Sequence, residues 1–159
     1  MRISSRFTIA VHIFACIDFF KDDYSITSDF LAGSINVNAV TVRRILIQLK
    51  AAGLIKTTRG RGGRAPSISG ILAARPLEEI TLFDIYKAVE CVKEGPGKLF
   101  HFHSGPNPQC PVGRNIHKAL DARLDQAQRA MEDELRKITV ADVARDTRAA
   151  IESEGTVAP

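Results

Sequence analysis

The 159-residue sequence predicts a mainly α fold with a small β-wing, in which a winged helix-turn-helix is followed by a long C-terminal dimerisation helix. Three observations predict it. Residues 30–77 hold eight Lys or Arg and no Asp or Glu, a local charge of +8 against −1 for residues 1–29 and −3 for residues 78–159. Inside that block two short helical segments flank Asn36-Val37-Asn38, and a tip rich in glycine and arginine, Thr58-Arg59-Gly60-Arg61-Gly62-Gly63-Arg64, lies between two strand-like runs. From Gly113 onward Ile116, Leu120, Leu124, Ala127, Met131, Leu135 and Ile138 recur at steps of three and four, one apolar stripe on one long helix.

The first helix covers Phe7 to Phe20. Phe7, Ala10, Val11, Phe14 and Ile17 form one stripe, while Ile9, Ile13 and Phe20 form a second, so this helix is expected between two bodies. Thr27 or Ser28 can cap a short helix carrying Phe30, Leu31 and Ile35. Asn36 and Asn38 then supply a turn and a new cap. The next helix runs to about Ala52 with Val42, Ile45, Leu46 and Leu49 inward, and Gly53 is placed to end it in a left-handed conformation. Leu54 to Thr57 and Ser67 to Ile71 read as the strands of the wing. Beyond Pro76, Thr81 can cap a helix through Glu90, and residues 94–111 are loop-like in their Gly, Pro, His and Asn content. After the long helix Thr139 can cap a last one, Val140 to Ile151. The organisation is therefore read as 1–76, the winged DNA-binding domain, whose first helix also packs on the dimer; 77–112, a connecting helix and sensor-like loop; and 113–159, the long helix and the C-terminal helix.

A hydrophobic content of 45% supports a real core, and 25% charged residues is ordinary, so the calculated pI near 9.1 reflects charge placement more than charge number. A basic block with a groove-sized helix faces a polyanion. In such a module the second helix enters the major groove and the wing reaches backbone or minor groove. The polar residues of that helix are Asn38, Thr41, Arg43, Arg44 and Gln48. Arginine bridges guanine O6 and N7, so Arg43 or Arg44 is expected at base edges, with Asn38 and Thr41 on phosphate or base and Gln48 deeper along the helix. Thr58, Arg59, Arg61 and Arg64 are expected on the sugar-phosphate chain, where the glycines allow close approach.

These residues carry a resemblance. Leu31-Ala32 with its turn, Lys50-Ala51-Ala52-Gly53-Leu54-Ile55, the wing Arg59-Gly60-Arg61-Gly62-Gly63 and Ile80-Thr81-Leu82-Phe83-Asp84-Ile85-Tyr86-Lys87-Ala88-Val89-Glu90 resemble the Rrf2 (Rrf-two) family of bacterial transcription regulators. Leu99-Phe100-His101-Phe102-His103, Asn107-Pro108 and Cys110-Pro111-Val112-Gly113 look like its YwnA-type subgroup. The resemblance covers nearly the whole chain. It implies a cytoplasmic homodimer joined by the long helix, a repressor reading double-stranded DNA at a two-fold symmetric operator with half-sites roughly 34 Å apart. Cluster-bearing members place three cysteines close together ahead of the long helix; here only Cys110 matches. The expectation is therefore a regulator with no iron–sulfur cluster, no bound metal and no cofactor.

Cys110, at the start of the long helix, and Cys91 are the candidate redox residues, since a helix N-terminus favours thiolate. The plainer reading makes both small packing residues. His101 and His103 with Cys110 have donors that suit zinc or copper, although loop histidines without a metal are commoner. His117 is assigned to surface or interface, Cys16 to the core, and His12 to a polar position in the first helix. Three widely spaced cysteines fit a reducing compartment. The apolar N-terminal run, interrupted by His12 and followed by Asp18, reads as a buried helix and not as an export signal or membrane span. An enzyme is the rival from another class, but no nucleotide loop, paired-carboxylate site or Ser/His/Asp or Cys/His set is present. Two further readings are a winged-helix protein-interaction module and a metal-responsive regulator using the His101/His103/Cys110 loop. The effector is open between a small molecule and a redox signal.

Overall fold

A computed structural model describes residues 4–58, 70–90, 99–100 and 102–155. Its elements are α1 (Ser5–Phe20), α2 (Ser28–Ile35), α3 (Ala39–Ala51), β1 (Ile55–Thr58), β2 (Gly70–Ala73), a 3-10 turn at Leu77–Glu79, α4 (Leu82–Glu90), α5 (Pro111–Lys137) and α6 (Val140–Ser153). Most helix starts follow from local hydrogen-bonding chemistry. The Ser4, Thr27, Asn38 and Thr139 side chains each accept from a backbone N–H in the first turn of the helix they precede. Asn36 takes φ 56°, the left-handed conformation that ends α2 and turns the chain by 116° into α3. Gly53, at φ 69°, closes α3 in the same conformation.

α1 is the centre of the core. Ile9, Ala10, Ile13, Phe14, Cys16 and Ile17 are buried on it, and α2, α3, α4 and α6 all pack against it. Leu31 from α2 and Val42, Ile45 and Leu49 from α3 complete the helix-turn-helix side, while Leu46 is only half-buried. The wing is a two-stranded antiparallel sheet with Ile55 opposite Ala73 and Thr58 opposite Gly70. The described part of its second strand is Gly70–Ala73, which runs two residues past the expected end at Ile71; residues 67–69 lie outside the described residues. Two tertiary contacts hold this strand on the core: Ile71 N–H donates to the Ile26 carbonyl at 2.9 Å, and a Cβ on Gly70 would stand 2.7 Å from that same oxygen.

Beyond the wing the chain repeats one capping device. Asp84 accepts from the backbone and hydroxyl of Thr81, and Asp142 does so from Thr139. The two caps lie side by side, because Val140 N–H donates to the Ile80 carbonyl at 2.8 Å and Leu82 N–H to the Ile138 carbonyl at 2.9 Å. This link brings α6 back onto α1, where Arg148 holds the Asp18 carboxylate at 2.9 Å and its carbonyl at 2.8 Å. The Thr139 backbone N–H, then the Thr139 hydroxyl and Arg145, hold the Asp142 carboxyl down to about 2 from an ordinary 3.8. A carboxyl depressed by folding stabilises above its ordinary value and loses that contribution as pH falls from about 4 through about 2. An acid titration followed by circular dichroism should therefore show early loss of helix in that window, and Asp142→Asn should remove it.

α5 begins at Pro111, two residues before the Gly113 expected from sequence. Proline pre-sets the φ of a first helical residue, and Cys110 is the extended residue before it. None of the 27 residues of α5 is buried. Its contacts are with α4, where the Arg136 guanidinium lies 3.8 Å from the Phe83 ring centre, and with the preceding loop. Ile116, Leu120, Leu124, Met131 and Leu135 remain half-exposed and Ala127 is exposed. Among the described residues no single helix is long and apolar enough to cross a membrane.

Candidate nucleic-acid interface

The buried set Val42, Ile45 and Leu49 occupies one side of α3, which leaves Val40, Arg43, Arg44, Ile47 and Ala51 on the other. At 3.6 residues per turn these five fall within an arc of about 100°. Arg44 makes no ion pair with any described residue. Arg43 does: its guanidinium lies 2.9 Å from Asp29 in the first turn of α2 and its Nε donates to Ser28 Oγ at 3.4 Å. Both partners are exposed, so the pair adds little stability. Its effect is to hold one arginine against the α2 N-terminus while the other is unengaged.

Asn38 is the α3 cap, its side-chain oxygen accepting from Val40 N–H at 2.7 Å, which leaves its amide N–H groups to donate. Thr41 and Gln48 are half-buried at the edge of the outward face. Together with Arg44, Ile47, Arg6 and Glu90 they line an open cleft of about 640 Å³ between α3 and the α1 and α4 ends. Glu90 there is bonded by the Ser4 hydroxyl at 2.5 Å and faces Arg6 at 3.8 Å, so its charge is answered within the protein. The Thr58 hydroxyl lies 3.4 Å from both the carbonyl and the N–H of Gly70 at the exposed base of the wing. Lys50, reaching Thr57 at 3.3 Å, links α3 to β1. Arg59, Arg61 and Arg64 lie outside the described residues.

Sequence reasoning missed Val40 and Ile47, which are 50% and 68% exposed. The signal was available, since both stand three or four positions from the arginines and outside the inward set. It also missed the Asp29 pairing, which spans fourteen residues and depends on how α2 crosses α3.

The second group of expected residues surrounds the start of α5. The Phe102 ring stacks on His117 at 4.6 Å, and the His103 ring meets it edge-on at 5.0 Å. His117 Nε2 is enclosed and has no hydrogen-bond partner among the described residues. A Cβ on Gly113 would stand 2.6 Å from the Asn107 carbonyl, so the loop crosses the first turn of α5 at glycine distance. Cys110 is half-exposed, and its side chain makes no capping bond. Cys91 and His101 lie outside the described residues. Cys16 is buried beside Ser34, 3.3 Å away, and burial pushes its thiol up, away from a reactive thiolate. Among the described residues no three His, Cys, Asp or Glu side chains converge to hold a metal ion.

Comparison with known proteins adds a lineage to this geometry. The profile of the Rrf2 family, described as iron-dependent transcriptional regulator, matches residues 3–146. YwnA of Bacillus subtilis (strain 168), which carries the name of an HTH-type transcriptional regulator, is 36% identical over 141 residues, covering 89% of this chain and 96% of YwnA. Among solved structures, oxidised CymR of Staphylococcus aureus superposes with a TM-score of 0.62 at 22% identity, covering 91% of this chain and 96% of that one. IscR of T. potens superposes with a TM-score of 0.64 at 19% identity, covering 94% and 90%. At those identities the two structures speak to the fold.

Proposed function

The chain belongs to the Rrf2 family of DNA-binding transcriptional regulators, and from that premise we propose that it is a homodimeric repressor that reads a two-fold symmetric operator. It is a regulator and not an enzyme. The single observation that carries the finer reading is the outward face of α3, which presents Arg43, paired with Asp29, and Arg44, unpaired among the described residues, within a stretch, residues 30–77, that holds eight basic and no acidic residues. Arg44 is the first candidate for bidentate contact with guanine, and Arg43 reaches a base while Asp29 braces it. Asn38, Thr41 and Gln48 supply donors at the groove edge, and Thr58, Arg59, Arg61 and Arg64 contact phosphates. The division 1–76, 77–112 and 113–159 then separates reading, coupling and pairing, with α6 bringing the pairing segment back to the core helix.

The family description is iron-dependent, but a four-thiolate iron–sulfur cluster does not fit this sequence, which holds three cysteines, one of them, Cys16, buried in the core. We propose a regulator competent without a cluster; anaerobic reconstitution yielding stoichiometric iron and sulfide would overturn this. Release from DNA is assigned to the 91–117 region. Cys110 and Cys91 are its redox candidates, and an unmodified Cys110 after mild oxidant, read by mass spectrometry, would remove the redox form of the proposal.

The test is fluorescence anisotropy of reduced, metal-free protein against labelled DNA from upstream of its own gene, with a scrambled duplex beside it. Arg59→Ala and Arg61→Ala should weaken binding to both duplexes and lower the salt slope by roughly one each. Arg43→Ala and Arg44→Ala should also relax base preference, by about 1–3 kcal/mol at the matching base pair. Affinities unchanged in all four variants would refute the interface.

A further inference from the structure

The arginines of α3 do not fill its outward face. Val40 and Ile47 are seven residues apart, two turns less about 20°, so their side chains lie almost on one line along the helix. Ala51 continues it, and Arg43 and Arg44 stand on either side. Five large apolar side chains are exposed among the described residues, and two of them are on this line. Isolated exposed apolar groups need no explanation, but a row of them between two arginines does. Asp29 pairs with Arg43 on one flank of the row, and Glu90 in the cleft beside Arg44 and Ile47 is met by Ser4 and Arg6. Among the described residues Arg44 is left as the unpaired charge beside the row, which suits the major groove, where apolar groups stand next to phosphates. The apolar group it offers is the 5-methyl of thymine.

We propose that Val40 and Ile47 read thymine methyl groups, so that each operator half-site carries two thymines bracketing the guanine contacted by arginine. This inference rests on the DNA-binding reading and adds to it the base composition of the site. The separation follows from the helix: seven residues at about 1.5 Å each span about 10 Å, roughly three base-pair steps. Val40, nearer the α3 N-terminus, contacts the methyl on one side of the guanine and Ile47 the methyl on the other. The affinity at stake is small for each contact, because a methyl group is one carbon's worth of buried surface. The same increment separates thymine from a base that presents no methyl in that place.

The experiment isolates that one carbon. Operators are selected from a random duplex pool with the full-length protein, and each thymine of the selected site is then replaced singly by deoxyuridine, which lacks only the methyl. Binding is measured for the parent, Val40→Ala and Ile47→Ala, both changes at exposed positions that leave the core untouched. Two deoxyuridine positions should weaken the parent roughly three- to fivefold. One of them should cost Val40→Ala nothing, and the other should cost Ile47→Ala nothing. If sites are selected but no thymine discriminates the parent from the two variants, the thymine reading is overturned and DNA recognition stands. If no sequence is selected, both fall together.

Discussion

Leu124→Asp is expected to split the protein into single subunits and to weaken operator binding by about 10²–10⁴-fold, although residue 124 touches no DNA. α5 is a 27-residue helix with no buried position in the single chain, and Leu124 lies at the centre of its half-exposed apolar stripe. A stripe of that length has no counterpart on the chain's own described surface beyond α4. Against a second copy of α5 it would be covered, and a carboxylate placed there would have to be desolvated without a partner. Two linked reading heads gain from the second contact being intramolecular, which is the origin of the factor lost on separation. Sedimentation equilibrium gives the subunit mass and anisotropy gives the affinity. A dimer mass that survives the substitution would show that α5 is not the interface.

Phe14→Ala should cost about 3–5 kcal/mol of stability, out of the roughly 5–15 kcal/mol that holds a domain folded. Phe14 is fully buried on α1, the helix that contacts α2, α3, α4, α6 and β2. Removing its ring leaves a void that surrounding helices close only in part, because they are tied to one another at the Thr81 and Thr139 caps and through Arg148 to Asp18. Urea unfolding followed by circular dichroism measures the loss. A cost under about 1 kcal/mol would mean that α1 is not the keystone of the core. DNA binding should fall with the folded fraction and recover at low temperature, which separates this variant from one at the interface.

The helix-turn-helix was legible because its determinants are short-range. Asn36, Asn38 and Gly53 act through their own dihedrals or through N–H groups two residues away, and the inward set Val42, Ile45 and Leu49 follows from the helical period. The wing was legible in kind, whereas the close approach of Gly70 to the Ile26 carbonyl, which seats the sheet on the core, was not. In the candidate site, the residue types were visible while their availability was not. Asn38 commits hydrogen-bonding capacity to the fold, Arg43 is held by Asp29, and Val40 and Ile47 are apolar residues in a place where polar ones were sought.

Sequence by itself therefore determined the order of the elements, their caps, the basic block and the apolar stripe of α5, all of which depend on spacing along the chain. Tertiary structure decided which arginine is unengaged, that α6 returns to α1, and that the loop at Asn107 passes over Gly113 at a distance only glycine permits. The physical reason is the same in each case. A cap or a helical stripe is set by neighbours within a turn, whereas an ion pair, a helix crossing or a close backbone approach exists only once distant segments share one core.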